Sequence, residues 1–371
     1  MITMDLYSVR ILRSQPLRLA LTVGGIALCV VLMLFLLSVY RGVADGSVEY
    51  IRQNKTDLWV LQRNATNILR GSSVLFASHG KQIKKIPGVE SASPVLLLLS
   101  AIKKGNKVAT VFLAGYDPNS GFGGPPELTE GRLVRNDHEI ILDESFAAKY
   151  HFQVGDLAQI QGDTLKVVGI SGKTNAFVIQ YAFVTLHCAQ SLIGFPNIVT
   201  CYLVKVKEGS DKEKAVKEIR EKVSGVEVYD HETFLQNNIR EMQSGFLPFI
   251  YTVAAIGVIV LTAILSLLLS INILERRKDF AIMKTLGSPG GFLSRLIIQQ
   301  ALLISLTGTI VALMLFFPMV ALIEKISPEI SSKSSVEQIV VVVLGVGLMS
   351  LISSLVSMQR LRHIYTLEVF S

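Results

Sequence analysis

The chain has 371 residues, half of them hydrophobic, and a mean hydropathy of +0.48. This composition is too apolar for an ordinary soluble protein and favours a membrane protein. The formal net charge of +7 requires no nucleic-acid partner, because much of it flanks apolar runs, where Lys and Arg set membrane topology.

Four runs without Asp, Glu, Lys, Arg or His each reach the ~20 residues that a membrane-spanning helix needs. They predict transmembrane helices at residues 19–40, 242–274, 296–323 and 338–359. The first run is too long for the core of a signal peptide and precedes no small-residue cleavage site, so we expect a permanent anchor. The second and third exceed the bilayer thickness and are expected to tilt or to continue as helix beyond it. The second would then include the end of a stalk.

The distribution of Lys and Arg in the short segments predicts that both termini are cytoplasmic. Cations precede the first run, fill residues 275–295 and follow the last run at 360–371, whereas the loop 324–337 has two lysines against three glutamates. Residues 1–18 are thus predicted to be a cytoplasmic amphipathic segment. The 324–337 loop and residues 41–241 are predicted to be extracytoplasmic.

Residues 41–241 mix strand and helix patterns, which predicts an α/β (α+β) domain of two subdomains, with a strand-rich part inserted at about 125–195. A strand is expected at 57–64, followed by a helix ending near Pro87-Gly88 and by two strands joined by a turn at 103–106. The Gly/Pro-rich segment 117–131 is expected to be a loop.

Beyond that loop the pattern predicts a strand, a short helix and further strands, with turns at Gly155-Asp156 and Gly162-Asp163. A β-α-β unit, running from "TCYLVKV" through "SDKEKAVKEIREKV" to "GVEVYD", is expected to close the domain. The chain from His231 onward has a helical pattern and continues into the second span.

No motif in the sequence predicts a catalytic, cofactor or metal site. The segment "GISGKT" (Gly169–Thr174) resembles the end of a phosphate-binding loop, but Val167 stands where that motif needs glycine, so a strand-ending turn is preferred. The six histidines show no metal-ligand spacing. Whether Cys188 and Cys201 form a disulfide stays open at this point, because two cysteines thirteen residues apart do not establish one.

The four runs also bear on energy coupling. They carry no ionisable group of the kind that ion-coupled transporters use at membrane depth, and no inverted repeat is visible. Any transport would therefore need an external source of energy. Small residues allow close helix approach in lipid, either within one subunit or at a dimer face. They are Gly24, Gly25, Gly308, Gly345 and Gly347.

The segment "ERRKDFAIMKTLG" (Glu275–Gly287) separates the second and third runs. A stop-transfer signal would explain the cations of this segment but not its acidic residues. In a helix Phe280, Met283 and Leu286 or Gly287 share one face, with Lys284 beside it. The pattern predicts a short cytoplasmic helix that lies on the membrane surface or docks into a partner's groove, and leaves that choice open.

Four stretches resemble MacB/FtsX-type ABC transporter permeases. They are "QPLRLALTVGGIAL" (Gln15–Leu28), Glu130–Ile170, the segment Leu274–Leu313 that contains the charge run, and the ending "RLRHIYTLEVF". The chain departs from the family pattern at Gln300, where a glutamate is common, and at Ala312, where glycine is common. No fused ATPase domain is expected.

The resemblance implies a non-enzymatic permease subunit of the bacterial cytoplasmic (inner) membrane, driven by a separate ATPase subunit that binds the ATP. This α-helical membrane protein, with four transmembrane helices and a large outer domain after the first, would move that domain to export or extract a lipid, lipoprotein or peptide. Its expected partners are the ATPase, a second permease copy or homologue and membrane lipids, with a membrane-fusion adaptor as a further candidate and no nucleic acid. The expected ATPase contacts are Arg276, Arg277, Lys278, Phe280, Met283, Lys284, Leu286 and Gly287.

The alternative function is a membrane-anchored signalling or scaffold protein that regulates an extracytoplasmic partner without transport. A membrane-bound hydrolase is a third idea, but no catalytic constellation supports it.

Overall fold

The structure, a computed structural model, describes residues 16–68, 72–176, 179–275, 282, 290–326 and 335–362. The chain forms two compact units. The membrane unit comprises Met1–Arg41, Leu247–Leu322 and Ser332–Ser371, and the outer unit comprises Gly42–Phe246 and Ile323–Ser331.

The described elements follow one another in this chain order: α1 (Pro16–Gln53), β1 (Leu58–Gln62), β2 (Leu75–Phe76), α2 (Ala77–Lys84), β3 (Val89–Lys104), β4 (Lys107–Tyr116), β5 (Glu127–Gly131), β6 (Glu139–Asp143), α3 (Glu144–Tyr150), β7 (Leu157–Ile160), β8 (Asp163–Gly172), β9 (Asn175–Ala176), β10 (Ile179–Thr185), α4 (Leu186–Ile193), β11 (Ile198–Val199), β12 (Cys201–Val206), α5 (Lys212–Lys222), β13 (Val226–Asp230), α6 (His231–Glu275), α7 (Gly290–Ile326) and α8 (Val336–Arg362).

The membrane unit contains the apolar parts of α1, α6, α7 and α8. Segments long and apolar enough to cross a membrane are Leu19–Gly42, Leu247–Ile264, Ser294–Ile326 and Val336–Leu355. A helix suits this environment because it satisfies its backbone polar groups internally. The predicted fold class, four transmembrane helices with a large α/β domain after the first, is confirmed.

Two of these helices extend well past their apolar segments. Helix α1 has 38 residues and ends at Gln53. Helix α6 has 45 residues and begins at His231, so the helical pattern predicted from that residue into the second span is confirmed. Residues 42–53 of α1 and 231–246 of α6 belong to the outer unit.

One half of the outer sheet is covered on both faces. Its strand order is β13-β1-β12-β3, and β1 is antiparallel to both of its neighbours. Side chains alternate between the faces of a strand, so Leu58 and Val60 of β1 face a core with α2 and α5, whereas Trp59 and Leu61 face the ends of α1 and α6. Strands β12 and β13, joined by α5, form the predicted β-α-β unit with β1 between them.

The other half of the sheet closes on itself. Strand β3 pairs with β4, β4 with β10, β10 with β6, β6 with β8, β8 with β7, and β7 returns to the far end of β3. We call these six strands the strand ring. Its interior is apolar, with Leu113, Leu142 and Val184 fully buried, and Phe146 of α3 and Ala189 of α4 join the same core.

Several local predictions are confirmed. The tight turn between β3 and β4 places Gly105 at a φ of +58°, and Gly155 and Gly162 take φ values of +105° and +103°. These left-handed conformations favour glycine. The segment 117–131 was expected to be loop throughout, but its end forms β5, which pairs with β8. Cys188 and Cys201 are free thiols buried in two different cores, so the disulfide does not form.

Candidate functional site

The outer end of α1 is held by aromatic stacking. Tyr50 is only 1% exposed, and its ring stacks on Tyr181 of β10 with the centroids 4.8 Å apart and the planes at 15°. It also meets Trp59 edge-on at 6.5 Å. Buried aromatic pairs add to the stabilisation that their burial already provides, so this end of α1 is part of the core of the outer unit.

The outer end of α6 uses the same aromatic cluster. Phe234, one turn into the helix, stacks on Trp59 with the ring centroids 4.8 Å apart and is fully buried. The helix start is capped by Asp230, whose Oδ1 accepts a hydrogen bond from the Thr233 amide at 2.9 Å. Trp59 thus lies between the helix ends that enter the outer unit from α1 and α6.

His231, the first residue of α6, has a defined protonation state. The Trp59 Nε1–H donates to His231 Nδ1 at 3.4 Å, so Nδ1 must be an unprotonated acceptor. Burial lowers the pKa of His231, which agrees with a neutral ring. Protonation would remove the acceptor and break the link between Trp59 and the start of α6.

A buried aspartate connects the strand ring to α3. Asp143 caps the helix by accepting from the amides of Ser145 and Phe146 at 2.8 and 3.1 Å. The Thr174 hydroxyl donates to its other oxygen at 2.7 Å. Burial raises the pKa of Asp143 to about 6. Thr174 ends "GISGKT", whose first four residues are the end of β8, so the predicted strand-ending turn is confirmed.

Glu139 of β6 is a second buried carboxylate of the ring, and its pKa is shifted in the opposite direction. Arg132 donates to its two oxygens at 2.6 and 2.8 Å, and the Arg135 amide donates at 2.8 Å. The Arg132 guanidinium lowers the pKa of Glu139 to about 2. Both carboxylates are fully engaged in local hydrogen bonds, so their roles in the ring are structural.

In the membrane unit, close helix approach is concentrated at Gly308 of α7. A Cβ built there would lie 2.6 Å from Ile26 Cγ2 of α1, so only glycine fits without a shift. A Cβ on Gly25 would lie 3.8 Å from Ile264, an ordinary contact, whereas a Cβ on Gly24 or Gly347 would have no neighbour within 4 Å. At Gly345 only Met349 of the same helix would lie within 4 Å. Gly308 is therefore a packing residue within the subunit, and the dimer face stays a prediction.

The extracytoplasmic ends of α1 and α8 are joined by a polar contact. Ser335 and Gln338 form a capping box, in which each side chain bonds the other's backbone amide at 3.3 Å. The Gln338 amide also donates to the Leu37 carbonyl of α1 at 3.1 Å, and Arg41 donates to the Ser335 hydroxyl at 2.5 Å. In lipid such interhelical bonds fix the register of neighbouring helices.

The residues predicted to contact an ATPase lie outside the described residues. They are Arg276, Arg277, Lys278, Phe280, Met283, Lys284, Leu286 and Gly287. The segment 1–15 lies outside them as well. Within the described residues, no group of three or more His, Cys, Asp or Glu side chains is placed to hold a metal ion.

Comparison with known proteins identifies the family. Residues 19–222, more than half of the chain, match the MacB-like periplasmic core domain, and residues 251–366 match the FtsX-like permease C-terminal domain. The chain belongs to the MacB/FtsX-type ABC transporter permeases. It is therefore a multi-pass membrane protein. The strand ring lies within the MacB-like match, as do Tyr50, Trp59 and Tyr181, whereas Phe234 lies beyond its end.

Relatives of this permease cover most of its length. An uncharacterized ABC transporter permease of Mycobacterium tuberculosis is 24% identical over 322 residues, covering 84% of this chain and 87% of the relative. A putative hemin transport system permease protein HrtB of Staphylococcus haemolyticus is 22% identical over 330 residues, covering 89% of each. The solved periplasmic region of MacB from Actinobacillus actinomycetemcomitans is similar at a TM-score of 0.41 and 17% identity, covering 50% of this chain and 94% of that one.

Sequence reasoning did not single out the aromatic cluster. Trp59 was assigned only to a strand, and Tyr50 lies ten residues beyond the predicted end of the first span. Two signals were available: Trp59 is the sole tryptophan of the chain, and Tyr50 is an aromatic residue in the part of α1 beyond the apolar run. Neither signal indicates that Tyr50 and Trp59 contact each other, or that Trp59 contacts α6.

Proposed function

We propose that this permease couples ATP hydrolysis by a separate ATPase subunit to movement of its extracytoplasmic domain, and so exports or extracts a lipid, lipoprotein or peptide. The permease itself carries no catalytic site and binds no cofactor in this proposal. It resides in the bacterial inner membrane with both termini cytoplasmic, as the distribution of Lys and Arg predicts.

The observation that carries the proposal is the continuity of α1 and α6. Each is one uninterrupted helix that has an apolar segment in the membrane unit and a buried, aromatic end in the outer unit. A helix transmits displacement along its axis through its backbone hydrogen bonds, of which Pro248 removes one from α6. The four spans carry no ionisable residue that would support ion coupling, which favours an external energy source.

The proposed ATPase contact is the cytoplasmic segment between α6 and α7. Phe280, Met283 and Leu286 would fill an apolar groove of the ATPase, and Arg276, Arg277, Lys278 and Lys284 would pair with acidic residues at its rim. The remaining proposed partners are a second permease copy or homologue, membrane lipids and a membrane-fusion adaptor. The small residues Gly24 and Gly347, whose Cβ positions are unoccupied, are the proposed contributions to a dimer face.

Affinity purification of the full chain from its native membrane tests the ATPase contact. We expect the wild type to retain an ABC ATPase, and Phe280→Asp combined with Met283→Asp to lose it, because two buried charges would oppose docking. Thr285→Asp, on another predicted face of the helix, is the matched control and should retain the ATPase. If the double variant retains the ATPase with wild-type yield, the docking assignment is wrong.

The cargo class is tested with the assembled transporter. Candidate lipids, lipoproteins and peptides are added to the reconstituted complex, together with hemin, which appears in the name of the staphylococcal relative. The true cargo class should stimulate ATP hydrolysis and be released from the membrane in an ATP-dependent way. A complex that hydrolyses no ATP, but whose outer domain binds a regulatory partner, would support the signalling alternative.

A further inference from the structure

The C-terminal end of α1 and the residue after it are hydrogen-bonded to Gly123, in a loop distant along the chain. Asn54 follows the helix and is 7% exposed, and its Oδ1 accepts a hydrogen bond from the Gly123 amide at 2.8 Å. The Tyr50 hydroxyl donates to the Gly123 carbonyl at 2.9 Å. Both backbone polar groups of Gly123 are therefore bound by the end of α1.

The loop around Gly123 is sterically confined by its neighbours. Gly123 has a φ of +85°, and a Cβ there would lie 2.5 Å from Val95 Cγ2. A Cβ on Gly124 would lie 2.6 Å from the Tyr116 ring. The two glycines press the backbone against β3 and β4, so a shift of Gly123 acts directly on strands of the ring.

Asn238 of α6 repeats the bonding pattern of Asn54. It is fully buried, its Oδ1 accepts from the Ile68 amide at 3.1 Å, and its Nδ2 donates to the Phe234 carbonyl at 2.8 Å. Asn54 Nδ2 likewise donates to the Tyr50 carbonyl at 2.9 Å. In both cases an asparagine side chain donates to the carbonyl four residues earlier in the chain and accepts from the backbone amide of a loop.

The two loops belong to different parts of the outer unit. Gly123 lies between β4 and β5, beside the strand ring. Ile68 lies after β1, which pairs with β12 and β13 in the other half of the sheet. Each asparagine side chain uses both its Oδ1 and its Nδ2 within a buried site. Neither loop can therefore follow the other helix without breaking a buried hydrogen bond, which is costly.

We propose that Asn54 and Asn238 are positioning residues that transmit movement of α1 to the strand ring and movement of α6 to the β1–β13 half of the sheet. A relative displacement of the two helices then moves the two halves against each other. This inference rests on the proposed function, since it names the residues through which the outer domain would respond to ATP.

The test measures a distance within the outer unit of the full transporter. Cysteines replace two exposed residues, Lys107 on β4 of the ring and Lys214 on α5, which packs against β13. Spin labels on them report their separation by pulsed electron paramagnetic resonance, without nucleotide and with ATP trapped. The parent chain without the added cysteines shows whether the buried native thiols take up label.

We expect trapped ATP to change the separation in the otherwise wild-type complex. Asn54→Leu should abolish at least half of that change while ATP hydrolysis stays within twofold, because the ATPase is intact and only transmission is lost. Asn238→Leu should do the same. Purely structural asparagines would instead lower the yield of folded protein and leave the response per folded molecule unchanged.

The outcomes separate this inference from the proposed function. A wild-type separation that does not change with ATP overturns this inference but not the proposed function, because movement of the outer domain as one rigid body leaves that separation constant. A wild-type response that persists undiminished in both leucine variants overturns the role of the asparagines alone. If Asn54→Leu does not fold, Tyr50→Phe removes the other hydrogen bond to Gly123 and must reduce the response for the proposal to stand.

Discussion

Removal of the Tyr50 hydroxyl is the sharpest energetic test of the contact at the end of α1. Tyr50→Phe keeps the ring and its stacking on Tyr181 but leaves the Gly123 carbonyl without its donor. A hydrogen bond contributes a net ~0.5–1.5 kcal/mol, and a buried polar group left unpaired costs ~1–3 kcal/mol. We therefore expect the free energy of unfolding of the outer unit to fall by ~1–3 kcal/mol.

Tyr181→Phe is the matched control, because within the described residues the Tyr181 hydroxyl is buried without a hydrogen-bond partner. Its removal should leave stability unchanged or raise it slightly. Trp59 is the only tryptophan and its ring centroid lies 6.5 Å from that of Tyr50, so its fluorescence reports unfolding of this region. The midpoint should drop by ~2–4 °C per kcal/mol in Tyr50→Phe alone. Equal midpoints in the two variants would refute the hydrogen-bond argument.

Three further predictions concern the carboxylates and the membrane unit. Burial raises the pKa of Asp143 from 3.8 to about 6, so its contribution to stability is full below pH 3.8 and lost as pH rises through 6. Asp143→Asn should remove this pH dependence. The free energy of unfolding, measured by denaturation at several pH values, should then vary less between pH 3.8 and 6, by at most ~3 kcal/mol. The pKa of Glu139 is lowered from 4.5 to about 2, so its contribution is present above pH 4.5 and lost toward pH 2. Glu139→Gln should cost ~1–2 kcal/mol at neutral pH and remove that acid dependence, and an unchanged acid limb would contradict the pairing. In detergent, Gly308→Ala should lower the thermal midpoint of the full chain because its Cβ meets Ile26. Gly345→Ala, whose Cβ would meet only Met349 at 3.9 Å, should not.

The fold class followed from patterns that depend on few residues at a time. Uncharged runs determine spans because the bilayer rejects charge, and the turn glycines marked the ends of β3 and β7 because few residues tolerate a positive φ. The end of segment 117–131 was assigned to loop because its glycines and prolines dominate the local pattern. It becomes β5 only through pairing with β8, about forty residues further along the chain.

The candidate site lay beyond local patterns for the same reason. Asn54 and Gly123 are separated by 69 positions, and nothing near either one indicates the other. Closure of the strand ring depends on β3, whose 16 residues pair with β12 at one end and with β7 at the other. Periodicity predicts that β3 is a strand, but it carries no information on a change of partner along its length.

Closure of the ring also limits how another protein can hold this domain. Each of its six strands has neighbours on both sides over part of its length, so the ring offers no continuous backbone edge for an added strand. Within the described sheet the outermost strands are β5 and β13, and both carry acidic side chains, Glu127 and Glu130 on β5 and Glu227 on β13. Charged edge strands discourage β-augmentation. A cargo or adaptor that engages the strand ring must therefore recognise its side chains and loops. Substitutions at these positions would change selectivity without disturbing the hydrogen bonds that close the ring.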